Sequence, residues 1–245
     1  MNGDIIRLTI RQQLTLGRVA LMLLLIGLPI LVAVVEVAAG GDEDDRAELV
    51  TDLLDQLVLL GVLPIIALLI GTGALGNEVA EGTAPYLVLK PISRATIILS
   101  KLAVAAVTTG LLVGVAVLVS GLIALSGEGS TDIVIGFLVA SLLGALAYCA
   151  WFVLLSLLTS RAFVVGLLYV FIWEGVITSI FRGARYVSVR HYSQAIADGL
   201  ADLGDALDAS LSPAAGIIGI AIITVAATWL AVERLKQFEV HDRTI

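Results

Sequence analysis

Six long apolar stretches, separated by short polar segments, follow one another along the chain. A helix needs about 20 mostly apolar residues to cross the roughly 30 Å hydrocarbon core of a bilayer, and each stretch is close to that length. The pattern predicts an all-α, polytopic membrane protein whose residues 1–245 form one membrane domain. The predicted spans are residues 19–39, 57–76, 102–125, 133–159, 162–181 and 214–232.

Two polar segments carry helical patterns of their own. Residues 40–56 begin with acidic residues and continue with spaced leucines and valines, which predicts a helix that runs into the second span. Residues 182–212 form the longest outer loop, in which Ile196, Leu200, Leu203 and Leu207 alternate with aspartates at a spacing of three to four. That spacing predicts an amphipathic helix that lies on the outer leaflet or caps a cavity. Only Ser160 and Arg161 separate the fourth and fifth spans, so a tight hairpin is expected there.

The charges set the expected orientation. Six spans place both termini on one side, and the segments on that side hold 10 of the 14 basic residues but only six acidic ones. The opposite side holds four basic and 13 acidic residues, while Glu36 and Glu174 fall within spans. Because cytoplasmic loops are enriched in Lys and Arg, both termini are predicted to be cytoplasmic in a multi-pass cell-membrane protein. An acidic exterior with three lysines against eleven arginines fits a halophilic source and a GC-rich genome equally well.

The composition is typical of a protein surrounded by lipid, and the chain lacks common catalytic motifs. The chain is 59% hydrophobic and 14% charged, against about 45–50% and 25% in soluble domains. It has no phosphate-binding P-loop motif, no H-E-x-x-H metal motif, and only two histidines, both outside the predicted spans. No dense basic cluster suggests nucleic-acid binding, and the single Cys149 cannot form an intrachain disulfide. We therefore predict no catalytic residue, no metal and no cofactor bound by this chain, so that energy for any work comes from elsewhere.

Residues 77–101, between the second and third spans, form the most informative polar segment. It reads NEVAEGTAPYLVLKPISRATIILSK and is expected on the cytoplasmic face, with two acids just past a helix end, a Gly-Thr break and a short apolar patch. Ser93 is a predicted N-cap of the helix that becomes the third span. An exposed apolar patch between two turns, formed here by residues 86–89, is suited to binding in a groove of another protein.

This segment resembles the conserved connector of ABC-2 type export permeases, and most closely that of the small six-span, type V-like permeases whose ATPase is a separate polypeptide. Pro85 departs from the family pattern, in which a helix former is usual. The resemblance implies that the segment couples to an ABC ATPase subunit, that ATP and Mg are bound by that partner, and that two permeases pair as a homodimer or a heterodimer. The resemblance rests on Glu78, Glu81, Gly82, Thr83, a hydrophobic position at Val88 or Leu89, Pro91, Ser93, Arg94 and Lys101. The predicted coupling residues are Glu78, Glu81, Gly82, Thr83, Tyr86, Leu87, Pro91, Ser93, Arg94 and Lys101.

Glu174 is the second candidate, because a charge inside a span costs roughly 2.5–3.5 kcal/mol on insertion scales. It either lines a translocation path or is a hydrogen-bonded packing residue, whereas Glu36 is near enough to a helix end to reach water. Arg185, Arg190, His191 and Tyr192 either meet lipid phosphates or lie in a solvated loop, and the solvated loop is favoured. A small-residue stripe in the third span predicts close helix contact and consists of Gly110, Gly114, Ser120 and Gly121.

The leading functional hypothesis is a permease subunit of an ATP-driven exporter in the lipid bilayer, which moves an unidentified substrate with ATP hydrolysed by its partner and is no enzyme by itself. The alternatives are an ion-gradient-driven secondary transporter or channel that uses Glu174, and a membrane anchor that transports nothing.

Overall fold

A computed structural model describes residues 16–39, 46–80, 93–125, 131–204, 207 and 211–237, with side chains at all of these except 16 and 75–80. In this part of the chain every regular element is helical, and six helices are long and apolar enough to cross a membrane. A backbone surrounded by hydrocarbon must satisfy its hydrogen bonds within the segment, which is why runs of such residues become helices. The predicted all-α, six-span fold is confirmed.

Spans 2, 3 and 6 extend by several residues beyond their predicted bounds at polar ends, whereas spans 4 and 5 agree with the prediction to within one residue. Span 1 is Leu16–Ala38, span 3 is Arg94–Leu125, span 4 is Asp132–Leu158 and span 6 is Pro213–Gln237. Span 2 joins Arg46–Asp52, Leu53–Val62 and Leu63–Ala80, and span 5 joins Ala162–Leu168, Tyr169–Ile177 and Thr178–Ile180. The helix predicted to run into the second span is therefore present. Glu78 was expected just past a helix end, but it lies within the last turns of span 2.

Spans 2 and 5 each contain a stretch of π-helix, at Leu53–Val62 and at Tyr169–Ile177. In span 2 the stretch ends immediately before Leu63 and Pro64, and Pro64 has no N–H to donate to the carbonyl of Leu60. Wide π turns inside α-helices are frequent at functional sites. Each of these two stretches carries one buried carboxylate, Asp55 in the first and Glu174 in the second.

The contacts between spans fix which helix ends lie together. Spans 3 and 4 pack antiparallel, because Gly110 lies against Leu142, Gly114 against Leu138 and Gly121 against Val134. The predicted small-residue stripe of span 3 is thus a helix contact. Spans 2 and 4 form the buried centre, whereas spans 1, 5 and 6 expose most of their apolar side chains.

We call the side of the bundle where spans 2 and 3 meet residues 77–101 the connector end. A Cβ atom placed on Gly73 of span 2 would lie 2.9 Å from a guanidinium nitrogen of Arg18, so the start of span 1 is at this end. Span 6 begins at the opposite end, where its first residue Pro213 lies against Gly199, and therefore finishes at the connector end. Both ends of the described chain lie on the same side, as six spans require.

A seventh long helix, Val189–Ala201, is inserted between spans 4 and 6 and is called the inserted helix. Ser193 lies at Gly144 and Ala197 at Gly136, so it runs antiparallel to span 4. Gly144 is 12 residues from the start of span 4, which is about 18 Å along a helix. The inserted helix therefore begins deep in the bundle and rises to the end opposite the connector.

The amphipathic helix predicted for the outer loop is shorter than its pattern. It ends at Ala201, because Asp202 adopts a left-handed backbone conformation with a φ of 50° and closes the last turn. Ile196 is buried as expected, but Leu200 is exposed. Leu207 is buried beyond the helix end rather than on its face.

Candidate functional site

The connector end holds three of the residues predicted to couple the chain to an ATPase. The Ser93 hydroxyl accepts a hydrogen bond from the Thr96 backbone amide at 3.2 Å, and the Ser93 carbonyl accepts one from Ile97. Ser93 is therefore the N-cap of span 3, as predicted. Arg94, the first residue of that span, is half-buried. Span 3 thus begins within residues 77–101, at Arg94.

Lys101 was expected at the membrane surface, but its side chain is 2% exposed. Its ammonium donates a hydrogen bond of 2.5 Å to the backbone carbonyl of Ala74 in span 2. Together with Arg18 beside Gly73, it brings a second positive charge to the last turns of span 2. We call the Lys101–Ala74 contact the clasp, since it joins spans 2 and 3 at the connector end.

The remaining predicted coupling residues cannot be placed by their contacts. Glu78 lies in helical backbone, and its side chain is outside the described residues. Six further residues lie wholly outside them, namely Glu81, Gly82, Thr83, Tyr86, Leu87 and Pro91. Their role in coupling stays a prediction from the sequence.

Glu174 is completely buried in the π stretch of span 5. One carboxylate oxygen accepts hydrogen bonds from the Tyr169 hydroxyl at 2.9 Å and from the Val189 backbone amide at 3.1 Å. The other accepts a hydrogen bond from the Ser188 hydroxyl. Val189 is the first residue of the inserted helix, so Glu174 holds the amino terminus of that helix, where negative charge is stabilised by the helix dipole. Glu174 is therefore fully engaged by groups of its own chain.

The same cluster contains a serine and a histidine, yet it lacks the arrangement of a nucleophilic site. The Ser188 hydroxyl donates to Glu174, and its oxygen lies 2.9 Å from Nδ1 of His191 and accepts from the His191 amide. A catalytic serine instead donates its proton to the histidine, which a carboxylate orients from the far side. In this cluster the serine is a helix cap, and the order of the three groups does not support hydrolysis.

Asp55 forms a second buried cluster that sequence reasoning missed. Its carboxylate is paired with Arg190 at 2.6 Å, and the two side chains are 6% and 12% exposed. The Gln194 amide donates to the other oxygen at 2.7 Å. Arg190 and Gln194 are one turn apart on the inserted helix. The sequence places Asp55 in the acidic segment 40–56, among the 13 acids of the outer side. Its one distinguishing signal is that it is a single acid among the leucines of 53–60.

The inserted helix is thus held by two carboxylates from two different spans. Glu174 of span 5 holds its amino terminus, and Asp55 of span 2 holds its first two turns. The solvated-loop interpretation is wrong for His191, which is buried, and for Arg190, whose side chain is 12% exposed and paired with Asp55. Tyr192 is half-buried against Gly216 and Gly219. Arg185 is half-buried and donates to the Thr178 carbonyl at 3.4 Å. Glu36 is exposed, as expected.

Two cavities flank these clusters. One of about 590 Å³ lies between spans 1 and 2 at the end opposite the connector and has several acidic side chains in its wall, including Glu36, Glu48 and Asp52. The other, of about 410 Å³, lies among spans 4, 5 and 6 and is walled almost entirely by apolar and aromatic side chains. Among the described residues, no group of three or more His, Cys, Asp or Glu side chains could hold a metal ion.

Comparison with known families matches residues 16–182 to ABC-2 family transporter proteins. The match covers more than half of the chain and includes spans 1 to 5 together with the connector between spans 2 and 3. No curated protein matches the chain. The family match agrees with the six apolar helices and with the resemblance carried by the connector. The chain belongs to the ABC-2 family of transporter membrane proteins.

Proposed function

We propose that this chain is the transmembrane permease subunit of an ATP-binding cassette exporter whose ATP is hydrolysed by separate ATPase subunits. Family membership supports a permease role. The observation that carries the finer proposal is the clasp, which joins spans 2 and 3 beside the connector. A partner that pushes the connector would therefore move both helices as one unit.

The arrangement of span 2 suggests how such a push reaches the far end of the bundle. Its helical backbone is continuous from Arg46 to Ala80, so Asp55 and the clasp belong to the same helix. Asp55 is paired with Arg190 of the inserted helix. Displacement of span 2 at the connector end would thus pull on the first turns of the inserted helix, deep in the bundle.

In the proposed cycle, ATP binding draws two ATPase subunits together, and the connectors of two permeases follow them. The permeases are two copies of this chain or one copy and a related chain. Spans 2 and 3 then move against spans 4 to 6, and access to the substrate path changes from the cytoplasm to the outside. ATP and Mg belong to the partner, and the residues that bind them are not part of this chain.

The alternative of a gradient-driven transporter that uses Glu174 is less well supported. The Glu174 side chain is completely buried, and three donors of the same chain occupy its carboxylate. A carboxylate that binds and releases an ion needs access to that ion during the cycle. The present arrangement instead suits a fixed anchor of the inserted helix.

The test co-expresses the tagged permease with candidate ATPases encoded beside it and measures their co-purification and ATPase activity. We expect deletion of 84–89 to abolish co-purification, because it removes the apolar patch of the connector. Lys101→Met should leave co-purification intact and reduce the effect of the permease on ATPase activity, since it removes the clasp. Arg161→Glu is the control, as Arg161 is exposed between spans 4 and 5 at the same end. Retained binding in the deletion variant would contradict the proposal.

A further inference from the structure

The cavity of about 410 Å³ lies between spans 5 and 6. Span 4 closes it at the back through Trp151, and span 5 contributes two aromatic side chains, Tyr169 and Trp173. Residues Val187 and Val189, on either side of Ser188, form one edge of the cavity. Span 6 supplies the remaining wall with Ile222, Ile223, Ala226, Ala227 and Leu230.

The position of this cavity along the helices places it in the hydrocarbon region. Leu230 and Ile222 are seven and 15 residues from the connector end of span 6, which corresponds to about 10 and 22 Å along a helix. Trp151 is likewise seven residues from that end of span 4. A bilayer core of roughly 30 Å would therefore enclose the whole cavity. Val187 and Ile222 at its edge are 59% and 62% exposed, so the cavity opens towards the lipid.

The walls of the cavity are unsuitable for water. The Tyr169 hydroxyl is engaged by Glu174, and the Trp173 indole N–H points to the Val187 carbonyl at 3.4 Å. The Trp151 indole nitrogen is buried without a hydrogen-bond partner among the described residues. A buried water needs two to four polar partners, and apolar cavities of this kind bind apolar guests instead. A volume of about 410 Å³ is well above the ~150 Å³ cavity that admits benzene.

We propose that this cavity is a binding site for an acyl chain of a membrane phospholipid, which enters sideways between spans 5 and 6. At this depth hydrocarbon chains are the surrounding solvent, and the cavity offers them an apolar, aromatic-lined slot about 12 Å long from Ile222 to Leu230. The bound chain packs against Val189, the first residue of the inserted helix. The site thus lies beside the Glu174 anchor, and the proposal does not depend on coupling to an ATPase.

The three tryptophans of the chain allow a direct test with a matched control. Trp151 lies in the cavity, whereas Trp229 is 62% exposed on the lipid face of span 6 at nearly the same depth, eight residues from its end. One variant keeps only Trp151, through Trp173→Phe and Trp229→Phe, and another keeps only Trp229, through Trp151→Phe and Trp173→Phe. Each is reconstituted in phosphatidylcholine vesicles with and without bromine atoms on the acyl chains. Bromine quenches tryptophan fluorescence on contact.

We expect brominated chains to quench both tryptophans. Ala226→Phe, which fills the cavity from span 6, should reduce the quenching of Trp151 several-fold and leave that of Trp229 unchanged. Ala221→Phe is the control, because Ala221 is exposed on the same helix and is not part of the cavity wall. Thermal unfolding of both Phe variants checks that the fold is retained.

Three results would overturn the proposal. The first is an unquenched Trp151 beside a quenched Trp229, because no chain then enters the cavity. The second is quenching of Trp151 that Ala226→Phe leaves unchanged, because the chain then lies elsewhere. The third is quenching of Trp151 in nanodiscs with one permease that disappears in nanodiscs with two, because a second permease then covers the cavity.

Discussion

At the scale of single residues, the polar interior of this bundle is confined to a few contacts, each of which links distant parts of the chain. Asp55 and Arg190 are 135 residues apart in sequence, and their ion pair is nearly inaccessible. In such surroundings an ion pair gains little over an apolar pair, but the loss of one partner leaves an uncompensated buried charge. The pair therefore specifies where the inserted helix sits more than it stabilises the bundle.

We predict that Asp55→Ala destabilises the protein by about 3–5 kcal/mol, the usual cost of breaking a buried ion pair. Arg190 loses its counter-charge and Gln194 loses its acceptor. The expected result is a clearly lower midpoint of thermal unfolding in detergent. Asp52→Ala is the control, since Asp52 is exposed three residues earlier in the same helix.

The double variant Asp55→Leu with Arg190→Met separates the two explanations. Because both charges are removed, it should recover most of the stability lost in Asp55→Ala. A double variant as unstable as Asp55→Ala would show that the ion pair is not the cause of the loss.

At the scale of elements, glycines decide how closely the inserted helix approaches its neighbours. A Cβ atom on Gly144 of span 4 would lie 2.7 Å from the Ser193 hydroxyl oxygen and 3.0 Å from a methyl group of Leu63. Gly216 and Gly219 of span 6 are equally close to Tyr192. Small residues allow this approach, which in a lipid solvent supplies the packing that holds helices together.

Replacement of Gly144 should therefore displace the inserted helix. Gly144→Leu adds a side chain where Ser193 and Leu63 already make contact, and overpacking of this kind costs about 1–3 kcal/mol. Labelling of Ala197→Cys in a Cys149→Ala background measures the displacement, because Ala197 is fully buried. We expect slow labelling with Gly144 and faster labelling with Gly144→Leu.

Gly27→Leu provides the matched control for Gly144→Leu. A Cβ atom on Gly27 meets no atom within 4 Å, so the same change in span 1 should leave labelling at position 197 slow. Equal labelling in the two leucine variants would mean that Gly144 does not position the inserted helix.

At the scale of the whole molecule, the spans could be predicted because hydrocarbon imposes one simple requirement, a sufficiently long apolar helix. The N-cap role of Ser93 could also be predicted, because an N-cap depends on local sequence. The burial of Lys101 and the pairing of Asp55 with Arg190 could not be predicted, since they depend on which helices become neighbours. The solvated-loop interpretation of Arg190 and His191 was wrong for a related reason. The sequence of a short polar segment does not show which distant residues will bury it.

The proposed exporter function depends on the direction in which the bundle crosses the membrane. The connector must face the cytoplasm to reach an ATPase, and the excess of Lys and Arg on that side supports this orientation. Two exposed arginines at opposite ends test it, Arg161 beside span 4 and Arg182 after span 5. In a Cys149→Ala background, a membrane-impermeant maleimide on intact cells should label Arg182→Cys and not Arg161→Cys, while permeabilised cells should allow both. The reverse pattern would place the connector outside the cell, where no ATP-dependent partner could bind it, and the proposed exporter function would fail with it.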